Sequence, residues 1–268
     1  MSRSSAPSRD KQKTIGREFV LEGIGIHSGV PCVAHFRPAK PDCGIYFILN
    51  GEKIPANLAS VTGTRRGTSL SGLHVVEHIL AAACGLGITN LEIELSSPEP
   101  PILDGSALPF LQALKKASIV EQEFRVPVIK VAQKISVKDK SASLTVLPYR
   151  GFKVHFMIEF PYIGRQEFAY TGDFEGAIAP ARTFGLIEEL ESLKKEGLAK
   201  GASFNNSLAI GQNGYVNPAR FPDEPVRHKV LDLIGDLSLV SCSIEGEIIA
   251  VKSGHKLNIE LARRLLEI

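Results

Sequence analysis

Glu77 and His78 stand side by side, and His228-Lys229-Val230-Leu231-Asp232 is followed one helical turn later by Asp236. If both segments are helical, as their apolar spacing predicts, His228, Asp232 and Asp236 fall at i, i+4 and i+8 and share one face. Such a face can grip a cation. A catalytic zinc ion keeps three protein ligands and leaves its fourth position to water, so two histidines and one carboxylate are enough. A further carboxylate beside a ligand is then free to act as a base. Each segment alone also has a plainer reading, a capping or surface feature for Glu-His and an ion pair on a solvated face for His-x-x-x-Asp. Against the second stands the helix itself, where Val230, Leu231, Leu233, Ile234, Leu237 and Leu239 surround the charged groups. Ionisable groups in such a setting are costly unless something compensates them, and a bound cation with ordered partners is one way to do so.

Two further segments carry polar groups with two readings each. His255, in Ser253-Gly254-His255-Lys256-Leu257-Asn258, is a helix-start residue or a functional imidazole. Thr183, in Ala181-Arg182-Thr183-Phe184-Gly185, is an N-cap or a hydroxyl aimed at a developing oxyanion. The turn Gly23-Ile24-Gly25-Ile26-His27-Ser28-Gly29 reads as a hairpin, because it lacks the lysine and the helix of a phosphate-binding loop.

The elements that must position these groups follow from periodicity. Residues 14–63 alternate short apolar stretches with Gly, Pro and Asn turns, the pattern of antiparallel strands. A helix is predicted over 74–86, a strand over 89–95 and a second helix over 107–117. The charged stretch 121–125 is the best boundary candidate. Beyond it strands are predicted over 126–137, 143–148 and 152–160, and helices over 184–196 and 227–239, with a last amphipathic helix opening at His255. Strands then helices, twice over, give an α+β protein of two tandem domains, 14–123 and 124–268, preceded by a disordered arm over 1–13. The two halves share no repeat at the level of residues.

Composition narrows the function classes. The chain has 268 residues, 44% hydrophobic and 22% charged, enough to bury a sizeable core. A net charge of +2 with no long basic run argues against nucleic acid. Four cysteines at irregular spacings, with no C-x-x-C pair, fit a reduced intracellular protein. No apolar run approaches the roughly 20 residues needed to span a bilayer. The polar, serine-rich start has no apolar core of a secretory signal, which leaves an organelle transit peptide as the less favoured alternative to a simple arm.

Taken in order, GIGIHSG, VVEHILAAACGLGITNLEIE, PILDGSALPF, ARTFG, RHKVLDLIGDLSL and KSGHKLN resemble the corresponding segments of the UDP-3-O-acyl-N-acetylglucosamine deacetylases of lipid A synthesis, the LpxC family. The resemblance spans residues 14–265. It implies two α+β sandwich domains whose helical layers face each other with the active site between them. It also implies His78, His228 and Asp232 as zinc ligands, Glu77 as general base and His255 as general acid, with Asp236 holding the imidazole. Thr183 takes the place of the oxyanion-binding hydroxyl. Lys229, Lys252 and His27 match the diphosphate and sugar end of the substrate, and Phe160 an aromatic that stacks on uracil. Phe184 opens the insert, over 184–210, that lines a passage for the acyl chain.

The implied activity is hydrolysis of the 2-acetamido group of a UDP-linked acylated amino sugar by a monomeric cytoplasmic enzyme, with peripheral proximity to a membrane left open. A His2Asp site also admits iron(II) or cobalt(II). Departures from the family pattern lie at the edge of the site: a short 68–74 segment, Val75 before Val-Glu-His, Thr89 for an aspartate, and Ala202 where glycine is frequent. Another acetamido sugar as substrate, or a silent binding module, are the rival readings.

Overall fold

A computed structural model describes residues 7–268 as an α+β protein in two halves. In the first half a five-stranded sheet runs in the order Phe19–Ile24, Pro31–Pro38, Leu91–Leu95, Ile45–Leu49, Glu52–Pro55. All neighbours are antiparallel except Ile45–Leu49 on Leu91–Leu95. Alternation sets its two faces. Ala34, Phe36, Phe47, Leu91, Ile93 and Leu95 are buried, while Glu92 and Glu94 on the other face pair with Arg37.

Helices α1 (Glu77–Gly85) and α2 (Leu108–Lys116) belong to this half. The first is apolar nearly all round, with Ile79, Leu80, Ala81, Ala82 and Ala83 all buried, so it is a core helix covered on every side. It starts at Glu77 rather than at residue 74 because Val75 sits at φ +55°, a left-handed backbone a β-branched residue seldom adopts. The Gly23–Gly29 turn is the expected hairpin, joining Phe19–Ile24 to Pro31–Pro38.

The second half is built on a seven-stranded sheet organised around Ser243–Val251. That strand pairs parallel with Ile119–Lys130 at its start, then antiparallel with Ala142–Leu147 and parallel with Phe152–Phe160 along its length. Ile135–Asp139 and Gly164–Tyr170 extend the sheet on its two flanks, and Pro7–Ile15, paired with Ile119–Lys130, is its seventh strand. Helices α3 (Phe174–Ala177), α4 (Leu190–Lys195), α5 (Glu224–Leu237) and α6 (His255–Leu265) follow. The second pair packs on the sheet, α5 over Phe152–Phe160 and Gly164–Tyr170, α6 over Ile135–Asp139.

Two expectations need correction. Residues 7–13 of the expected disordered arm lie in a strand, Pro7–Ile15, paired antiparallel with Ile119–Lys130. Residues 1–6 of that arm lie outside the described residues. Besides the main-chain pairing and the burial of Ile15, side-chain hydrogen bonds hold this polar strand: Gln12 bonds Asp42 and Asn90, and Thr14 accepts from the Ala39 amide. The charged stretch 121–125 lies inside the partner strand.

The helix expected over 184–196 is the second correction. Phe184–Leu186 is a strand paired parallel with Leu208–Gly211, a 3-10 turn follows over Ile187–Glu189, and only Leu190–Lys195 is α-helical. Apolar spacing at 187, 190 and 193 resembles a helix period but serves a cavity wall, because Ile187, Leu190 and Leu193 all line the same pocket. All four cysteines are free.

The halves meet where α1 crosses α5. Gly235 makes that crossing close: a Cβ there would sit 2.3 Å from the Glu77 carbonyl oxygen. Only a residue without a side chain fits. This contact lays Glu77 and His78 directly against the His228–Asp236 face.

Candidate active site

Helix α5 presents His228, Asp232 and Asp236 on one buried face, and α1 presents His78 and Glu77 across from it. His228 Nε2 lies 3.3 Å from Asp232 Oδ1, and His78 Nε2 lies 4.0 Å from the same oxygen. The two imidazole rings stand edge to face, centroids 5.0 Å apart. One donor atom from each of His78, His228 and Asp232 falls within 4.8 Å of the others. His228 Nδ1 donates to the Ala181 carbonyl at 3.0 Å, which fixes the tautomer and turns Nε2 toward Asp232.

The donor set fits a divalent cation. Burial, with His228 adding to it, holds His78 down to about 3, and burial likewise lowers His228, so both rings are neutral and can donate a lone pair. Burial alone would raise Asp232, but the Lys229 ammonium 2.6 Å from Oδ2 and the neighbouring imidazoles hold it well below the usual carboxylate range. His78 Nδ1 is buried without a hydrogen-bond partner among the described residues, and its Nε2 is too far from Asp232 to bond it. A buried imidazole so isolated is costly, and a cation would relieve that cost. Glu77, Asp232 and His255 form a second cluster of similar size. It fits a cation less well, because His255 is protonated near neutral pH.

Glu77 and His255 face each other beside this cluster. His255 opens α6, and its Nδ1 donates to Asp236 Oδ2 at 2.8 Å while Nε2 lies 3.7 Å from Glu77 Oε1 and 3.8 Å from Asp232 Oδ2. Burial opposes its charge, yet Asp236, Asp232 and Glu77 together carry it up to about 9. Burial pushes Glu77 up to about 7, with Asp232 and Asp236 adding and His255 opposing. A buried acid above neutrality next to a carboxylate near it is the pairing general acid–base chemistry needs.

A family model described as LpxC, UDP-3-O-acyl N-acetylglycosamine deacetylase, matches residues 12–267. The chain belongs to this family. It is 40% identical over 270 residues to a protein of Syntrophotalea carbinolica named UDP-3-O-acyl-N-acetylglucosamine deacetylase, covering 95% of this chain and 87% of that one. A protein of the same name from Myxococcus xanthus is 39% identical over 275 residues, 97% of this chain and 88% of its own length. One from Brucella melitensis is 40% identical over 271 residues, 95% of each.

Around Glu77 and His255 of this LpxC-family chain lies a cavity of about 970 Å³. Thr183 lines it, held by main-chain bonds to Gly105 and Leu208 in an extended segment, so it caps no helix. The rings of Phe160 and Phe184 meet edge to face on the wall at 5.2 Å. His27 also lines the cavity, its Nε2 donating to the Arg66 carbonyl at 2.9 Å and its Nδ1 accepting from the Ala199 amide at 3.3 Å. Lys229 is on the wall, bonded to Asp232. Lys252 is not among the lining residues; its ammonium pairs with Glu159. Ala202 and the apolar insert residues Ile187, Leu190, Leu193 and Leu208 also line it.

Three supporting groups carried no sequence signal of their own. Asn258, one turn into α6, donates to Asp236 Oδ2 at 2.8 Å and is itself held by Ser253. The quoted segment KSGHKLN contains it, and its i+3 spacing from His255 is the one hint available. Thr68 donates its amide to Glu77 Oε2 at 3.0 Å and its hydroxyl to Asp236 Oδ1 at 2.5 Å. Arg182 and Glu224 form a buried pair, Nε to Oε1 at 2.9 Å, that locks the segment before Thr183 onto the first turn of α5. That lock also sets the Ala181 carbonyl against His228.

Proposed function

We propose that this protein hydrolyses the 2-acetamido group of a UDP-3-O-acyl-N-acetylglucosamine in the cytoplasm, giving acetate and the free amine for lipid A synthesis, with zinc held by His78, His228 and Asp232. The observation that carries the reading is the convergence of that donor set with Glu77 and His255 on one cavity. Zinc, when bound, supplies a Lewis acid that acidifies water, whose pKa is about 15.7 in bulk, toward 7 and polarises a carbonyl oxygen.

The chain's own groups do the proton work. Glu77 Oε1, the carboxylate oxygen facing His255, accepts a proton from the attacking water, and the new C–O bond forms at the amide carbonyl. The Thr183 hydroxyl donates to the oxygen that gains charge. An amine leaves poorly unless protonated, so His255 Nε2–H delivers its proton to the amide nitrogen as the C–N bond breaks. Asp236 keeps Nδ1 protonated throughout, which leaves Nε2 as the nitrogen that transfers. The apolar lining, Leu190 and Leu193 with Phe204, suits an acyl chain, and the paired rings of Phe160 and Phe184 suit a planar base.

Incubating the purified protein with the UDP-linked acylated N-acetyl sugar tests this directly. Acetate release that a chelator abolishes and added zinc restores is the expected result. Release of acetate from the sugar lacking its UDP group at an equal rate would favour an enzyme for another acetamido sugar.

A further inference from the structure

Thr68 is fully buried just ahead of the short strand Ser69–Leu70, and all three of its polar groups are engaged at the acid–base pair or the turn into α1. Its amide donates to Glu77 Oε2, its hydroxyl to Asp236 Oδ1, and its carbonyl accepts from the Val76 amide at 3.4 Å. Gly67, at φ +147°, lets the chain pass this close, since a Cβ there would come 3.1 Å from Glu77 Oε1.

Counting donors decides what these bonds do. Asp236 is an acceptor when ionised, and it receives Thr68 Oγ1–H on Oδ1, with His255 Nδ1–H and Asn258 Nδ2–H on Oδ2. His255 Nδ1 also lies 3.4 Å from Thr68 Oγ1, but the shorter bond to Asp236 takes its proton. The carboxylate plane is thereby fixed from both ends, and with it the imidazole ring. On the other side, Thr68 N–H occupies Glu77 Oε2 and leaves Oε1 as the oxygen turned toward His255. We propose that Thr68 is a positioning residue that sets the base and the acid in register, Glu77 through its main-chain N–H and His255 through Asp236. Its hydroxyl selects the ring orientation of the acid, and its amide selects the working oxygen of the base.

This inference rests on the deacetylase reading, and the test separates the two. Thr68→Val removes the hydroxyl, keeps the shape and keeps the amide; Thr68→Ala does the same with less bulk, should the first not fold. The zinc-loaded variants are expected to lose about 10- to 100-fold in kcat with KM changed less than about threefold, as for loss of a group that orients another. Thr68→Ser should restore most of that turnover. In a His255→Ala background, Thr68→Val should cost little further, because its hydroxyl acts through that ring. Nitrogen NMR of the His255 ring gives a readout independent of activity: a protonated Nδ1 in the wild type, with signals displaced in Thr68→Val. Unchanged ring signals, wild-type turnover in Thr68→Val, or a full additive loss in the His255→Ala background would each overturn the proposal. No acetate release by the wild type would overturn the deacetylase reading instead, with the NMR comparison still deciding the role of Thr68.

Discussion

At the scale of residues, the same buried space drives neighbouring groups to different protonation states. Desolvation strips His78 and His228 of their protons and makes them donors, while the three carboxylates that surround His255 outweigh the same desolvation and keep it charged. Glu77, raised to about 7, becomes a carboxylate able to accept a proton near neutral pH. The proposed mechanism needs Glu77 ionised and His255 protonated. The rate should therefore rise with pH through the Glu77 pKa and fall again through that of His255, giving a bell between about 7 and about 9 that a bound cation moves toward acid. The pH profile of kcat/KM from pH 5 to 10 checks this, and a flat profile contradicts it. Substitution should divide the cluster into two classes. Glu77→Ala and His255→Ala are expected to lose about 10² to 10⁴ in turnover with zinc retained near one per chain. His228→Ala is expected to lose the metal, and stoichiometric zinc in that variant, by mass spectrometry, would show the donor set to be wrong.

At the scale of elements, two helices and one glycine create the geometry. Gly235 has no room for a Cβ against the Glu77 main chain, so Gly235→Ala must part α1 from α5 or shift one along the other. A displacement of even 1 Å in a catalytic constellation can cost about 10²-fold in rate. Gly235→Ala should lose activity and weaken zinc binding while its thermal midpoint falls; wild-type activity with full metal content would mean that the crossing does not set the site. The helices themselves were legible from periodicity: the reading of 107–117 and 227–239 falls within a few residues of Leu108–Lys116 and Glu224–Leu237. Two segments were not legible, for different reasons. In 184–196 an apolar spacing of three reflects a shared cavity wall, a demand made by tertiary structure that mimics a helical one. In Pro7–Ile15 the order comes from pairing with a strand more than 100 positions away, aided by Gln12 bonds to Asp42 and Asn90, which composition cannot show.

At the scale of the whole molecule, two α+β halves each bring part of the proposed site, and neither alone holds His78, His228 and Asp232. The first carries Glu77, His78, His27 and Thr68; the second carries His228, Asp232, Asp236, His255 and Thr183. The spacing of His228, Asp232 and Asp236 on one helix pointed to a cation site, and the resemblance of the ordered segments to the LpxC family nominated the others apart from Thr68. Thr68, Asn258 and the Arg182–Glu224 pair were hidden for a common reason: their partners lie far off in sequence, so their roles exist only once the chain has folded. Among the described residues no helix is long and apolar enough to cross a membrane. Anomalous diffraction at the zinc edge, from crystals of the purified protein, reads the convergence of the halves at a single point. A single peak about 2.0 to 2.2 Å from a nitrogen of His78, a nitrogen of His228 and an oxygen of Asp232 is the expected result; a peak held by other residues, or by one half alone, would contradict it.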